Sequence, residues 1–214
     1  MNKEAKILIG VGLIIVLGGW SLARFSPKTT PFVAPEDVGK LVRDDSHMTG
    51  QKNAKVTLVE FGDFQCPACA ASWPVIEKII NDYKGNPNFN FVTRNFPLTE
   101  IHDYAMISAE AAEAAGAQGK YWEMFEILYE NQVEWVVPQS KNFLIGYAQR
   151  LGLDVTQFEK ALTEKTYVNF VKTDRADGEA LKITSTPSFF LNGEKMVGVP
   201  NYDALKAKIE EKLK

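Results

Sequence analysis

Residues 56–69 read Val-Thr-Leu-Val-Glu-Phe-Gly-Asp-Phe-Gln-Cys-Pro-Ala-Cys and contain the only two cysteines of the 214-residue chain. The first six residues form a nearly continuous apolar run rich in β-branched side chains, which predicts a strand covered on both faces. After Cys69, apolar residues recur at Trp73, Ile76 and Ile80, which is helical spacing. The C-x-x-C pair is therefore expected between a buried strand and the first turn of a helix.

This position has a chemical consequence for Cys66. A thiol at the start of a helix faces unpaired backbone N–H groups and the positive end of the helix dipole, and both favour the thiolate. The thiolate is the reactive form, so we expect Cys66 to be a nucleophile with a low pKa. A bond to Cys69 would close a four-residue loop and remove little chain entropy, about 2 kcal/mol. The pair is therefore interpreted as redox-active rather than structural, with no other cofactor.

The rest of the chain supplies more strands and a block of helices. Residues 89–95 predict a second core strand, parallel to the first because a helix connects them. Residues 188–197 predict a hairpin turning at Asn192-Gly193, and residues 202–213 a final helix. Residues 40–43 are expected to form a short edge strand. Helices are expected at about 102–115, 120–131, 141–151, 155–164 and 167–181.

The N-terminal residues differ from the rest of the chain. Residues 7–23 carry no charge, and as a helix they would cover about 25 Å, slightly less than a hydrocarbon core of about 30 Å. With Lys3 and Lys6 before them, we expect an uncleaved anchor (residues 1–25), a cytoplasmic N-terminus and an extracytoplasmic domain. The alternative is a cleaved signal peptide. Residues 26–39 are rich in proline and predict an extended tether.

Composition and the other polar residues narrow the function classes. The formal charge is -3 and no basic stripe adjoins aromatic residues, which argues against nucleic acid as a partner. The chain has two cysteines and two histidines without a second close pair, so no metal site is expected. We interpret Asp63 as a turn residue and His47 as a loop residue without a visible partner. We interpret His102 as a helix-start histidine with local hydrogen bonds, and the alternative is that it lines the groove beside the cysteines.

These motifs together resemble a known fold. A βαβ half whose helix opens with C-x-x-C, and a ββα half preceded by Thr-Pro, are similar to the thioredoxin fold. The helical block between them resembles the DsbA type of bacterial thiol–disulfide oxidoreductase. Residues 183–193 (Ile-Thr-Ser-Thr-Pro-Ser-Phe-Phe-Leu-Asn-Gly) are similar to that family's cis-proline segment. We therefore expect an α/β thioredoxin fold (residues 40–97 and 183–214) with an inserted all-helical subdomain (98–182), after an N-terminal transmembrane or signal-anchor helix.

The resemblance implies roles for residues around the cysteines. Cys66 would be the nucleophile and Cys69 the residue that resolves a mixed disulfide. Pro187 would be cis and lie beside the C-x-x-C, with the backbone of Thr186 pairing with an extended substrate near Pro67 and Ala68. The alternative for Pro187 is a proline that only starts an edge strand.

Glu60 lies inside the first strand, six residues before Cys66. A buried carboxyl has a raised pKa and could exchange a proton with Cys69 while the disulfide opens, and the family places an acid at this position. The alternative is a glutamate at the sheet margin that is neutralised by a lysine.

The predicted function is a disulfide-donating oxidase in a bacterial cell envelope, acting on cysteines of exported proteins. The resemblance implies that a quinone-linked membrane protein recharges it. Ala68 stands where strongly oxidising family members have histidine. Losing that donor costs about 1.5–3 kcal/mol, or roughly 30–60 mV, which weakens the oxidant without reversing it. Disulfide reduction or isomerisation is an alternative within this chemistry. A chaperone module and a Cu(I)-handling domain are alternatives outside it, although no Met or His ligand adjoins the pair.

Overall fold

In this computed structural model, which describes Val33 and residues 37–214, a five-stranded sheet has the order β1-β3-β2-β4-β5. Its strands are β1 (His47–Met48), β2 (Val56–Gly62), β3 (Phe89–Asn95), β4 (Ser188–Leu191) and β5 (Glu194–Val197). β2 and β3 are parallel, which confirms the prediction for the βαβ unit. The other three neighbouring pairs described are antiparallel. The predicted anchor (residues 1–25) lies outside the described residues, as does the predicted tether apart from residues 33 and 37–39.

Helices fill the connections between the strands. Those described are α1 (Val38–Leu41), α2 (Pro67–Asp82), α3 (Ala105–Gly116), α4 (Tyr121–Glu130), α5 (Gln132–Trp135), α6 (Ser140–Arg150), α7 (Val155–Thr163), α8 (Val168–Ala180) and α9 (Tyr202–Leu213). The five helices predicted between the two halves of the sheet are present, and the short α5 was not predicted. Among residues 33 and 37–214, no helix is long and apolar enough to cross a bilayer.

The predicted edge strand at residues 40–43 is wrong. Lys40 and Leu41 end α1, and the edge strand is instead β1, which pairs with β3. The reason is tertiary. The carbonyls of Lys40 and Leu41 accept hydrogen bonds of 2.6 and 3.1 Å from the buried guanidinium of Arg94, so this backbone meets a buried charge rather than a neighbouring strand.

The hairpin has the geometry that its sequence predicts. Leu191 pairs with Glu194 across the turn, and the two residues between them have positive φ angles, 48° at Asn192 and 86° at Gly193. A two-residue turn with positive φ at both positions matches the twist of the strands that it joins, and Asn-Gly adopts it readily.

Both faces of the sheet are covered, which explains the continuous apolar run of β2. Val56 and Leu58 belong to a cluster with residues of α2 and α9, whereas Val59 and Phe61 belong to a second cluster on the opposite face. Because side chains alternate along a strand, Glu60 shares the face of Leu58, beneath α2. The fold thus places a carboxyl between the sheet and the helix that begins at the cysteines.

Candidate active site

Cys66 is the N-cap residue of α2, and Pro67 is its first helical residue. The Cys66 N–H donates to the Asp63 carbonyl at 3.0 Å, and its own carbonyl accepts from the N–H of Cys69 and Ala70 at 3.1 and 3.2 Å. Cys66 is buried, whereas Pro67 is exposed and Ala68 is half-buried. The cysteine therefore lies at the edge of the surface, at the helix start that the sequence predicts.

The pKa of Cys66 is lowered from 9.0 to about 5, which confirms the predicted direction. The main cause is a hydrogen bond from the Cys69 thiol. The Thr186 side chain and the backbone N–H groups of Cys69 and Ala68 add to it, while burial opposes it. The sequence argument relied on the helix start alone, so it missed the two side chains that matter more than the backbone. Both thiols are free in this structure.

The pKa of Cys69 moves in the opposite direction. Cys69 is fully buried, and its pKa is raised well above the ordinary value by burial, by the hydrogen bond to Cys66 and by the charge of Glu60. A backbone hydrogen bond from Asp63 opposes this shift. At neutral pH the arrangement therefore holds a thiolate at Cys66 and a protonated thiol at Cys69.

Glu60 lies in the middle of the sheet, opposite Thr93 of β3 and Phe189 of β4. It is 1% exposed, and its Oε1 has no hydrogen-bond partner among the described residues. Burial, followed by the negative charge of Cys66, raises its pKa to about 8. The alternative of a marginal glutamate paired with a lysine is therefore wrong, and the carboxyl can hold a proton near the cysteines at neutral pH.

The Thr186–Pro187 peptide bond is cis, as predicted. The Cys66 Sγ lies 3.5 Å from the Thr186 carbonyl oxygen, to which it can donate only while the thiol is protonated. The hydroxyl of Thr186 is buried and makes no other hydrogen bond among the described residues, so it can donate to the Cys66 sulfur when that sulfur is ionised. Pro187 precedes β4 directly, and its carbonyl accepts from the Gly198 N–H at 3.1 Å. The loop thus lies against the Cys66 sulfur and does more than start a strand.

The Tyr129 hydroxyl and the Glu60 carboxyl both lie close to Gly62, without a hydrogen bond at Glu60 Oε1 among the described residues. A Cβ atom added at Gly62 would lie 2.8 Å from the Tyr129 hydroxyl and 3.3 Å from Glu60 Oε1. Burial and then the charge of Glu60 raise the pKa of Tyr129. The sequence identifies Tyr129 only as part of an apolar helical stripe with Trp122 and Phe125, because its ring does belong to the core and its polar end has no signature of its own.

Asp63 is the turn residue that the sequence predicts, but it also pairs with His102 over a long range, so the prediction of local hydrogen bonds for the His102 side chain is wrong. Asp63 is buried, and one carboxylate oxygen accepts from the Leu98 N–H at 2.9 Å and lies 2.7 Å from His102 Nδ1. The other oxygen accepts from the Gln65 N–H at 2.8 Å. Since the Asp63 backbone also bonds to both cysteines, this carboxylate fixes the loop that carries them.

Gln132 fixes the same loop from the helical block. Its side-chain amide donates to the carbonyls of Phe64 and Cys66 at 2.7 and 3.0 Å. A glutamine in a short unpredicted helix, 66 positions from Cys66, gives no signal in the sequence. The helical block therefore contributes directly to the shape of the C-x-x-C loop.

His47 has partners that the sequence did not reveal. Its Nε2 lies 2.7 Å from Glu113, and its ring stacks on Tyr121 with centroids 3.4 Å apart. Glu113 accepts in turn from the Asn95 amide at 2.8 Å. This cluster joins β1, β3, α3 and α4. Across the described ranges, no group of three or more His, Cys, Asp or Glu side chains is arranged to hold a metal ion.

The arrangement supports one kind of chemistry. A stabilised thiolate, a protonated thiol next to it and a carboxyl that titrates near neutrality are the groups required for thiol–disulfide exchange coupled to proton transfer. Sequence comparison agrees, since a family model described as thioredoxin matches residues 43–211.

Curated relatives share this domain within longer chains. A protein named Na(+)/H(+) antiporter NhaA 1 from Salinispora arenicola is 39% identical over 166 residues, which cover 78% of this chain and 24% of the relative. A protein of the same name from Mycolicibacterium vanbaalenii is 33% identical over 209 residues, covering 92% and 32%. The chain thus spans about a quarter to a third of the length of these relatives.

Solved structures share the fold. BdbD from Bacillus subtilis, in oxidised form, is 25% identical with a TM-score of 0.68, covering 78% of this chain and 92% of that one. The Wolbachia pipientis protein alpha-DsbA1 is 18% identical with a TM-score of 0.73, covering 82% and 94%. At that lower identity the likeness concerns the fold alone.

Proposed function

This chain belongs to the thioredoxin family and is a thiol–disulfide oxidoreductase of DsbA-like fold, and from this premise we propose that it donates the Cys66–Cys69 disulfide to cysteines of exported proteins. The observation that carries the proposal is the opposite shift of the two pKa values, to about 5 at Cys66 and well above the ordinary value at Cys69. A low-pKa thiol is a good leaving group, and its thiolate stabilises the reduced form, so both effects favour disulfide donation.

In the proposed reaction, a substrate thiolate attacks the Cys66 sulfur, and the bond to Cys69 breaks. Cys69 leaves with the electron pair and takes a proton from Glu60, because burial raises the pKa of this carboxyl and favours its protonated form. A second substrate thiolate then attacks the substrate sulfur of the mixed disulfide and releases Cys66 as a thiolate. Two electrons have then passed from the substrate dithiol to the cysteine pair.

The proposed substrate surface surrounds the Cys66 sulfur. Pro67 and Ala68 reach the surface on one side of it, and the loop of Thr186 and Pro187 lies on the other. An extended chain pairing with the Thr186 backbone would bring a substrate cysteine to Cys66. This geometry favours unfolded polypeptides, whose cysteines can be presented in extended conformation.

The proposal extends to location and partner. Residues 1–25 would anchor the chain in a bacterial membrane as a single pass with the N-terminus inside, and a quinone-linked membrane protein would reoxidise it. The supports are the uncharged segment at residues 7–23 and the family resemblance. The antiporter names describe relatives of which this chain covers about a quarter to a third, so we propose no ion transport.

The reduction potential tests the direction of exchange. Equilibrating the protein with glutathione buffers should give a potential above about -200 mV, toward that of DsbA near -120 mV. A value at or below that of thioredoxin, about -270 mV, would instead support disulfide reduction.

Trapping tests the exchange itself. Cys69→Ser should accumulate mixed disulfides at Cys66 in cells, and mass spectrometry should identify exported cysteine-containing proteins and a membrane redox partner. The control is the double variant Cys66→Ser, Cys69→Ser, which should trap nothing. Equal recovery from both variants would refute a thiol-based capture.

A further inference from the structure

The peptide group that joins Gly62 to Asp63 is held at both of its polar atoms. Its carbonyl oxygen, on Gly62, accepts from the Phe96 N–H at 2.7 Å. Its N–H, on Asp63, donates to the Cys69 sulfur, because this backbone hydrogen bond lowers the pKa of Cys69 and only a donor favours a thiolate. β2 ends at Gly62, so this peptide joins the sheet to the loop that carries the cysteines.

The Asp63 side chain fixes the same peptide from a second direction. Its carboxylate is fully buried, and one oxygen accepts from the Leu98 N–H and lies 2.7 Å from His102 Nδ1. The other oxygen accepts from the Gln65 N–H. An ionised carboxyl group only accepts hydrogen bonds, so His102 Nδ1 carries the hydrogen of this contact. Of these three donors, His102 is the side chain and the other two are backbone groups.

Negative charge develops on Cys69 when the disulfide opens. In the proposed reaction a thiolate attacks Cys66, and Cys69 receives the electron pair in a fully buried position. Burial and the neighbouring Cys66 and Glu60 disfavour a thiolate at Cys69, whereas the hydrogen bond from Asp63 favours it. A donor that is already in place where charge develops lowers the barrier without reorganisation, most effectively where water is excluded.

We propose that the Asp63 N–H is the donor that stabilises the Cys69 sulfur as it leaves, and that His102 is the positioning residue that holds this donor in place. In this step the bond between the two cysteine sulfurs breaks, and a new S–S bond forms between Cys66 and the attacking thiolate. The electron pair goes to Cys69, which then takes its proton from Glu60, and the Asp63 nitrogen keeps its own proton. This role rests on the proposed attack at Cys66 but not on the direction of electron flow.

Reduction of the oxidised protein by excess dithiothreitol measures how fast the disulfide opens. His102→Leu should slow this reaction about tenfold, because a less rigid Asp63 makes a weaker hydrogen bond to the developing charge. His102→Asn keeps a donor where Nδ1 lies and should stay within about twofold of the parent. Alkylation of Cys66 in the reduced protein breaks no bond to Cys69, so both variants should change it less than about twofold.

Two outcomes of these rate measurements overturn the positioning role. One is an unchanged rate of reduction in His102→Leu, and the other is an equal slowing of reduction and alkylation, which indicates a general distortion of the loop. A low reduction potential or a failure to trap substrates would instead refute the proposed oxidase alone, since dithiothreitol opens the disulfide in either case.

His47 supplies the matched control. Its Nε2 also lies 2.7 Å from a carboxylate, that of Glu113, whose other oxygen accepts from the Asn95 amide. In the part of the chain that the structure describes, this pair makes no hydrogen bond to residues 62–70. His47→Leu should therefore reduce at the parental rate. An equal slowing in His47→Leu and His102→Leu would assign the effect to the loss of any such pair and overturn the role of His102.

Nuclear magnetic resonance tests the Asp63 donor without relying on a His102 variant that folds. In the reduced, 15N-labelled protein, the Asp63 amide proton should move upfield on Cys69→Ala, because the variant removes its sulfur acceptor. The N–H groups of Gln65 and Cys66 donate to oxygen atoms of Asp63 at 2.8 and 3.0 Å and should move less. An Asp63 amide proton that moves no more than those two overturns the assignment.

Discussion

At the scale of single residues, the pKa values of the two thiols shift in opposite directions because the two sulfurs have different surroundings. Cys66 receives hydrogen bonds that favour its thiolate, mainly from the Cys69 thiol, whereas Cys69 is fully buried beside Glu60. The pair is therefore coupled, and the proton on Cys69 is part of what stabilises the charge on Cys66.

Substituting Cys69 tests that coupling. Cys69→Ala removes the donor and should raise the pKa of Cys66 by more than about one unit, whereas Cys69→Ser keeps a donor and should raise it less. Thiolate absorbance or alkylation rate against pH measures both. Identical values in the two variants would mean that the backbone and Thr186 hold the thiolate without help from position 69.

Glu60 affects stability as well as proton transfer. Its folded pKa of about 8 is above the ordinary value of 4.5, so its contribution to stability is complete below 4.5 and is lost as pH rises through 8. Glu60→Gln cannot ionise and should be more stable than the parent at pH 8 by up to about 4 kcal/mol, with little difference below pH 4.5.

Chemical denaturation of the reduced protein at several pH values measures this effect. The same variant should slow disulfide exchange at neutral pH by about a hundredfold if Glu60 is the proton donor. Glu211→Gln, at an exposed position, should follow the parent at every pH. A stability gain of Glu60→Gln that is constant with pH would contradict the raised pKa.

At the scale of elements, close approach of α8 to the sheet depends on a glycine. A Cβ at Gly178 would lie 2.6 Å from a ring carbon of Phe96 and 3.1 Å from one of Phe61. Both rings are buried, so neither can move freely. Gly146 in α6 is the opposite case, since a Cβ there would meet nothing within 4 Å.

These two helical glycines should respond oppositely to alanine. Gly146→Ala should stabilise by about 0.5–1 kcal/mol through helix propensity. Gly178→Ala should destabilise by about 1–3 kcal/mol because the overpacking exceeds that gain. Urea denaturation measures both. Stabilisation by Gly178→Ala would show that α8 can move away from the sheet at little cost.

At the scale of the whole molecule, ionisation of Cys66 links redox state to stability. Its folded pKa is below that of a free thiol, so the stability that it contributes is complete above about pH 9 and is lost as pH falls through about 5. The disulfide form has no such group. The difference in stability between the reduced and the disulfide form should therefore depend on pH.

Calorimetry of both redox forms measures this difference in stability. The Tm of the reduced protein relative to the disulfide form should fall by several degrees between pH 8 and pH 4, because protonation of Cys66 removes the stabilising charge. Cys66→Ser, which has no thiolate at this position, should lack that part of the dependence. A Tm difference that is constant across this range would contradict the lowered pKa of Cys66.

The sequence by itself determined the elements whose signals are local. The apolar run of β2, the cysteines at the start of α2 and the Asn192-Gly193 turn each depend on neighbours within a few residues, and the structure agrees with them. The resemblance added the cis peptide at Pro187. The predicted edge strand is wrong because a distant residue, Arg94, donates hydrogen bonds to the backbone carbonyls of that segment.

Only the tertiary structure decided what surrounds the sulfurs. Thr186 contacts Cys66 although 120 positions separate them in the sequence, and Gln132 contacts Cys66 at a separation of 66. His102 contacts Asp63 at a separation of 39. Such pairs have no periodicity or spacing in the chain, because each side chain is placed by the packing of a different element. The sequence supplied the reactive groups, and the folded chain set their pKa values through burial and hydrogen bonds that exist only after packing.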